Sequence, residues 1–273
     1  MKAGHAGSSP QSGRDLYPLP RIATWQLRWF VRYVELFFRR NFHAVRLLRL
    51  HPLEPVQNRP LLVCLSHPSW WDPLMALYLS QRFFEARQNY GPIAAEGLAK
   101  YKFFEKLGFF GIDPARASGS ARFVRIGQAV LSRADCAFWV TAQGHFTDVR
   151  CRPVLFQSGV GYLAHRLTRF AMLPLALEYA FWDERYPEAF ACFGEPLLID
   201  SGLERTAAEW TILFSRSLEE TQDALSQKVM ARQAGAFETL IRGRAGIGGV
   251  YDIWRALKAK LARKQFRQEH GSY

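Results

Sequence analysis

The chain reads as α/β: a single domain with a mixed central sheet flanked by helices, preceded by an N-terminal amphipathic interfacial helix. Three observations lead there. Between residues 60 and 200, short β-rich apolar runs alternate with helical segments. Hydrophobic residues make up 49% of the 273 positions, enough apolar material for one large core. The first basic stretch repeats apolar and charged residues at a helical period. Charged residues (22%), Gly (20) and Pro (14) are close to ordinary globular usage, which excludes a collagenous, low-complexity or mostly disordered chain. Cys64, Cys136, Cys151 and Cys192 never form a CxxC pair, so a disulfide scaffold and a zinc ribbon are excluded, and a reducing compartment suits them.

Residues 1–20 read as a disordered leader without the apolar centre of a signal peptide. Residues 21–58 read as an amphipathic membrane-associated helical region. At ~100° per residue, Arg28, Arg32, Glu35, Arg39, His43, Arg46 and Arg49 share one side of a helix expected from about Trp25 to Leu50. Trp25, Trp29, Phe30, Tyr33, Val34, Phe37, Phe38 and Leu47 cover the rest. Two readings fit: a helix lying in the interface of an anionic membrane, or one docked on the core with a solvated arginine stripe.

Residues 59–235 read as the α/β domain. LLVCL (61–65), AFWVT (137–141), MLPLALEY (172–179) and AFACF (189–193) are expected strands. Helices are expected over 73–86, near 99–107, 118–132 and 158–169, and after Asp200, where Trp210, Leu213, Phe214, Leu218, Leu225 and Val229 recur at helical spacing. GRAGIGG (243–249) reads as a hinge before a basic C-terminal helix over 244–273.

The net charge of +12 sits at the ends: residues 1–50 carry nine Lys/Arg against two acids, 244–273 seven against two, and 51–243 twenty against twenty. No zinc-finger, basic-zipper or single-strand-binding signature accompanies it, so no nucleic-acid partner is expected. No stretch reaches the ~18 uninterrupted apolar residues of a membrane span. The expected location is peripheral, on the cytoplasmic face of the membrane.

The chemistry-bearing feature follows the first apolar strand: Ser66, His67, Pro68, Ser69, Trp70, Trp71, Asp72, Pro73. On a helix, residues five apart diverge by ~140°, so His67 and Asp72 can cooperate only across a loop. Asp72 before Pro73 reads as a helix N-cap, with its carboxylate pointing back at the imidazole. The pair then forms a base and its orienter, suited to deprotonating a substrate hydroxyl, since no GxSxG elbow supplies an enzyme nucleophile. The plainer alternative is a capping aspartate and a loop histidine.

His-x-x-x-x-Asp after a β-strand resembles the first motif of the glycerolipid acyltransferase family, the lysophosphatidic acid acyltransferase-like enzymes. The resemblance runs over roughly residues 60–180. Residues 95–113 resemble the second block, which in many relatives ends in Asp-Arg where this chain has Asp113, Pro114, Ala115, Arg116. Val140, Thr141, Ala142, Gln143, Gly144, His145 and Phe146 align with the third block, usually Phe-Pro-Glu-Gly-Thr-Arg; Gln143 replaces the glutamate and Phe146 the arginine. Phe156, Gln157, Ser158 and Gly159 match a Phe-Lys-x-Gly run, and Leu173–Leu177 the proline-containing fourth block.

The resemblance implies transfer of a fatty acyl group from acyl-CoA or acyl carrier protein to a lipid hydroxyl, with His67 and Asp72 catalytic and Ser69, Gln143, Gly144, Arg150, Arg152 and Gly159 as substrate-binding candidates. Backbone amides around Gly144 are candidate oxyanion donors. No metal or cofactor beyond the acyl donor is expected; His145 and Asp148 lack further ligands. Either Arg150 and Arg152 grip an acceptor phosphate, as for a 1-acylglycerol 3-phosphate, or the acceptor is a glycolipid, aminoacyl lipid or isoprenoid alcohol. A noncatalytic lipid-binding protein of the same fold is the alternative from another class.

Overall fold

Leu61–Leu65 is buried along its whole length, as a continuous apolar run between two helical layers requires. The computed structural model describes residues 17–113 and 115–246. The leader expected over 1–20 lies outside them up to residue 16, and the basic helix expected over 244–273 lies outside from residue 247.

In chain order the elements are α1 (Thr24–Asn41), β1 (Ala44–Arg49), β2 (Leu61–Leu65), α2 (Asp72–Phe83), β3 (Gln88–Ala94), α3 (Ala95–Lys100), β4 (Phe109–Ile112), α4 (Ala117–Leu131), β5 (Cys136–Thr141), α5 (Gly159–His165), β6 (Phe170–Ala180), β7 (Glu188–Phe193), β8 (Leu197–Ile199), α6 (Ala207–Met230) and β9 (Phe237–Arg242). Among the described residues the strands form one mixed nine-stranded sheet, ordered β4-β3-β5-β2-β6-β7-β1-β9 with β8 beside β6. The five strands from β4 to β6 are mutually parallel. β7 runs antiparallel to β6, β1 parallel to β7, and β9 antiparallel to β1.

The period-2 alternation of the central strands divides the core into layers. Leu61, Val63, Leu65, Trp139, Leu173 and Leu175 face α1 and α2, where Val34, Phe38, Met75 and Leu79 close the layer. Leu62, Cys64, Phe138, Val140 and Met172 face α4, α5 and α6, against Phe123, Ile126, Leu163, Trp210 and Phe214. The expected α/β architecture is therefore the observed one. Burying each of these large side chains is worth about 1.5–3 kcal/mol, which fixes the carboxyl ends of β2, β5 and β6 side by side.

The N-terminal helix is shorter than its pattern implies. It ends at Asn41, Phe42 is extended, and residues 44–49 form β1 inside the sheet. Pairing with β7 on one side and β9 on the other satisfies the β1 backbone. Arg46 meets Glu188 and lies 5.3 Å over the Trp182 ring, while Arg49 pairs with Glu238. These partners come from 136 to 189 residues away along the chain, which a local helical pattern does not register. Arg28, Arg32 and Arg39 remain on the helix, and His43 is buried at the junction.

Two further expected helices contract. The one near 99–107 becomes α3 and a 3-10 turn (Lys102–Leu107), and that over 158–169 ends at His165. The described part of the expected hinge is fastened down: Gly243 N–H donates to His43 O at 2.8 Å and Arg244 N–H to Phe42 O at 3.0 Å. A Cβ on Gly243 would stand 2.1 Å from Phe42 O, so only glycine allows this approach.

Candidate active site

The loop between β2 and α2 is pinned at its start. Ser66 N–H donates to Leu175 O at 3.1 Å, and its Oγ accepts the Leu177 N–H at 2.8 Å, tying the loop to β6. At its far end Asp72 N–H donates to Ser69 O at 3.2 Å, and Trp71 already has helical geometry. Asp72 is therefore the first residue of α2 and not its N-cap, a correction to the expected role. The Ser69–Asp72 turn starts the helical geometry one residue early and frees the carboxylate from capping duty.

That carboxylate is fully buried and accepts three hydrogen bonds. Oδ2 accepts from His67 Nδ1–H at 2.8 Å and from Ser69 N–H at 2.9 Å; Oδ1 accepts from Tyr179 O–H at 2.8 Å. Burial pushes the Asp72 pKa above the ordinary carboxylate range, and the bonds from His67, Ser69 and Tyr179 oppose the rise. Tyr179 is held well above its usual value by burial and by the neighbouring Asp72.

His67 is oriented from three sides. Beyond Nδ1, its backbone N–H donates to Gln143 Oε1 at 3.1 Å, its carbonyl accepts the Thr147 N–H at 2.9 Å, and its ring lies 4.4 Å from that of Phe146. With Nδ1–H committed to Asp72, the tautomer leaves a lone pair on Nε2, and no described residue bonds to that nitrogen. The His67 side chain is 17% exposed. An imidazole so held can accept a proton from a hydroxyl and transfer it onward.

The other candidates divide. Ser69 and Gln143 join the His67–Asp72 cluster, Ser69 through its backbone N–H and Gln143 through its buried side chain. Gly144 takes the left-handed conformation (φ 77°) that a side chain would strain, and its N–H donates to Thr141 O at 3.0 Å, so this amide is spent on a turn. Gln157 Nε2–H donates to Gln143 O at 3.2 Å and steadies the same turn. Gly159 opens α5 and faces Phe123. The exposed Arg150 bonds both Asp148 oxygens, at 2.9 and 2.8 Å, and holds that carboxyl far below its usual range. Arg152 is bound to Asp223 and to the carbonyls of Val149 and Cys151. Neither arginine touches the His67 cluster through these bonds.

Tyr179 was not legible in sequence: it lies 107 positions from Asp72, and only the adjacency of β2 and β6 brings the two together. An aromatic row leads away from the loop. Trp71 packs on Tyr179 at 5.4 Å and on Trp70 at 5.6 Å, Trp70 on Phe37 at 6.3 Å, Phe37 on Tyr33 at 6.5 Å, and Tyr33 on Trp29 at 6.4 Å. Trp70, Tyr33, Trp29 and Trp25 are exposed, as is Phe146. Away from this loop, a cleft of 830 Å³ runs between the start of α1 and the start of β3.

No protein-family model matches this chain, and no curated protein matches it in sequence. Among solved structures it is similar to the 1-acyl-sn-glycerophosphate (LPA) acyltransferase PlsC from Thermotoga maritima, with 14% identity, a TM-score of 0.47, and coverage of 76% of this chain and 82% of that one.

The raised pKa of Asp72 has a consequence for stability. Between the ordinary carboxylate range and the shifted value, the folded state binds more protons than the unfolded one, so the unfolding free energy falls as pH rises through that window. Denaturant titrations of the wild type in the acidic range are expected to show this falling component, and Asp72→Asn, with no proton to lose, to lack it. Identical pH slopes in the two proteins would contradict the assignment.

Proposed function

We propose that this protein is an O-acyltransferase acting at a membrane surface, moving a fatty acyl group from acyl-CoA or acyl carrier protein to a hydroxyl of a lipid acceptor. The observation that carries the reading is the 2.8 Å bond from His67 Nδ1 to the buried Asp72 with Nε2 left open.

In the proposed reaction Nε2 takes the acceptor's hydroxyl proton as its oxygen attacks the thioester carbonyl carbon. The tetrahedral intermediate collapses, the C–S bond breaks, and the leaving thiolate receives the proton from the imidazolium. Asp72 is the counter-charge for that imidazolium in a site of low dielectric, and Tyr179 and Ser69 hold the carboxylate so that Oδ2 stays on Nδ1. Gln143 positions the loop through the His67 backbone and need not touch substrate. General-base help of this kind contributes about 10²–10⁴ in rate, the remainder coming from positioning.

A peripheral membrane location is supported by α1. Leu27, Val34 and Phe38 dock on the core, while Trp25 (72% exposed), Trp29 (63%), Tyr33 and Leu36 stay outside beside Arg28, Arg32, Arg39 and Arg40. Both readings of this helix therefore meet in one element: its inner face packs, and its outer face has the aromatic and arginine composition of an interfacial helix. Among the described residues no helix is long and apolar enough to cross a membrane. The aromatic row from Trp29 to Trp70 supports delivery of a lipid acceptor to the loop that carries His67. The four free cysteines suit the cytoplasmic face.

Purified protein with labelled acyl-CoA and vesicles containing lipid alcohols is expected to form an acylated lipid, at a rate that falls about 10²–10⁴-fold in His67→Ala. Transfer at the wild-type rate in that variant would remove the dyad from the mechanism. Replacing Trp25 and Trp29 together by Ala is expected to weaken sedimentation with anionic vesicles several-fold without lowering the melting temperature, since both rings are exposed. Undiminished sedimentation would contradict the interfacial role of α1.

A further inference from the structure

We infer that the acceptor is an uncharged lipid alcohol, carrying no phosphomonoester near the hydroxyl that is acylated; this rests on the acyl-transfer reading above. The inference comes from what surrounds Nε2. Phe146, 59% exposed, lies 4.4 Å from the His67 ring. A phosphomonoester one or two carbons from the reacting oxygen would come within a few ångströms of this pair. A benzene ring offers a dianion no hydrogen-bond donor, and its face carries the negative part of the ring quadrupole. Bringing a phosphate against it removes hydration without replacing it, a penalty that an uncharged alcohol does not incur.

The guanidinium groups that follow in the same loop are already engaged. Arg150 uses its fork on both oxygens of Asp148, the bidentate arrangement that would otherwise suit a phosphate. Arg152 spreads its donors over Asp223 and two backbone carbonyls. Elements packed beside that segment add carboxylates: Glu219 of α6 accepts the Val154 N–H at 2.6 Å, and the half-buried Glu178 of β6 accepts from Ser226 while sensing both Arg152 and Asp148. Asp148, Glu178, Glu219 and Asp223 thus stand against two arginines. A dianion recruited to these two arginines would have to displace carboxylates from their partners. The aromatic row through Trp70 and Phe37 is an apolar path for an uncharged lipid. Arg39 and Arg40, exposed at the end of α1, remain for the headgroups of the surrounding bilayer.

The test presents labelled acyl-CoA and vesicles holding one acceptor at a time: a monoacylglycerol, the same molecule with a 3-phosphate, a glycosylated lipid and a long-chain polyprenol. Lipid product and released thiol are both measured, with His67→Ala in parallel. At least one uncharged acceptor is expected to be acylated at least about tenfold faster than the phosphate. Phe146→Arg, a change at an exposed position, is expected to shift that ratio toward the phosphate by about tenfold or more. The inference is overturned if the phosphate acceptor equals or exceeds every uncharged one, or if Phe146→Arg leaves the ratio unchanged. Thiol release that depends on His67 but yields no uncharged lipid product overturns it too, while leaving the thioester chemistry standing. Thiol release independent of His67 removes the acyl-transfer reading itself.

Discussion

A carboxylate taken wholly out of water is the constraint around which this site is arranged. An unpaired buried charge costs several kcal/mol, whereas a hydrogen bond to a charged group returns about 1.5–3 kcal/mol. Asp72 meets that cost with donors from two directions: His67 and Ser69 within its own loop, and Tyr179 from β6. The arrangement exists only because β2 and β6 are parallel neighbours, with Leu65 in register with Leu175. Ser66 then ties the loop to the same strand at Leu175 and Leu177. Strand order and loop anchoring supply the donors this buried charge requires, and those donors in turn orient the imidazole.

The elements that were legible in sequence are those whose signal is local. Leu61–Leu65, Cys136–Thr141 and Phe170–Ala180 are apolar runs buried on both faces, and α6 carries a clean helical stripe with a Thr206–Glu209 capping box. β1 escaped because Ala44–Arg49 continues the periodicity of the preceding helix, while its strand partners lie in the distant segments 188–193 and 237–242. β3 escaped because Gly91 and Pro92 interrupt it; it pairs with β5 over Gln88–Tyr90 and then with β4 over Gly91–Ala94. In the site, the His67–Asp72 pair was readable from a spacing that only a loop reconciles. The role of Gln143 as a buttress for the His67 backbone, and that of Tyr179, depend on strand adjacency and were not.

The surface around the pair is consistent with a lipid-facing role. The aromatic side chains that enclose the loop continue onto the outer face of α1, whose inner face is committed to the core through Val34 and Phe38. Phe146 lies against the imidazole without bringing positive charge to it, and the guanidiniums of Arg150 and Arg152 are bound to carboxylates of the protein.

The central claim, that Asp72 fixes the imidazole with its lone pair on Nε2, is tested most directly by nitrogen-15 NMR of histidine-labelled protein, with the His67 signals among the seven histidines assigned by their loss in His67→Ala. Above the histidine titration the account predicts a protonated Nδ1 and a bare Nε2, a pattern lost in Asp72→Ala. A proton on Nε2, or an equal mixture of tautomers unaffected by Asp72→Ala, would contradict it.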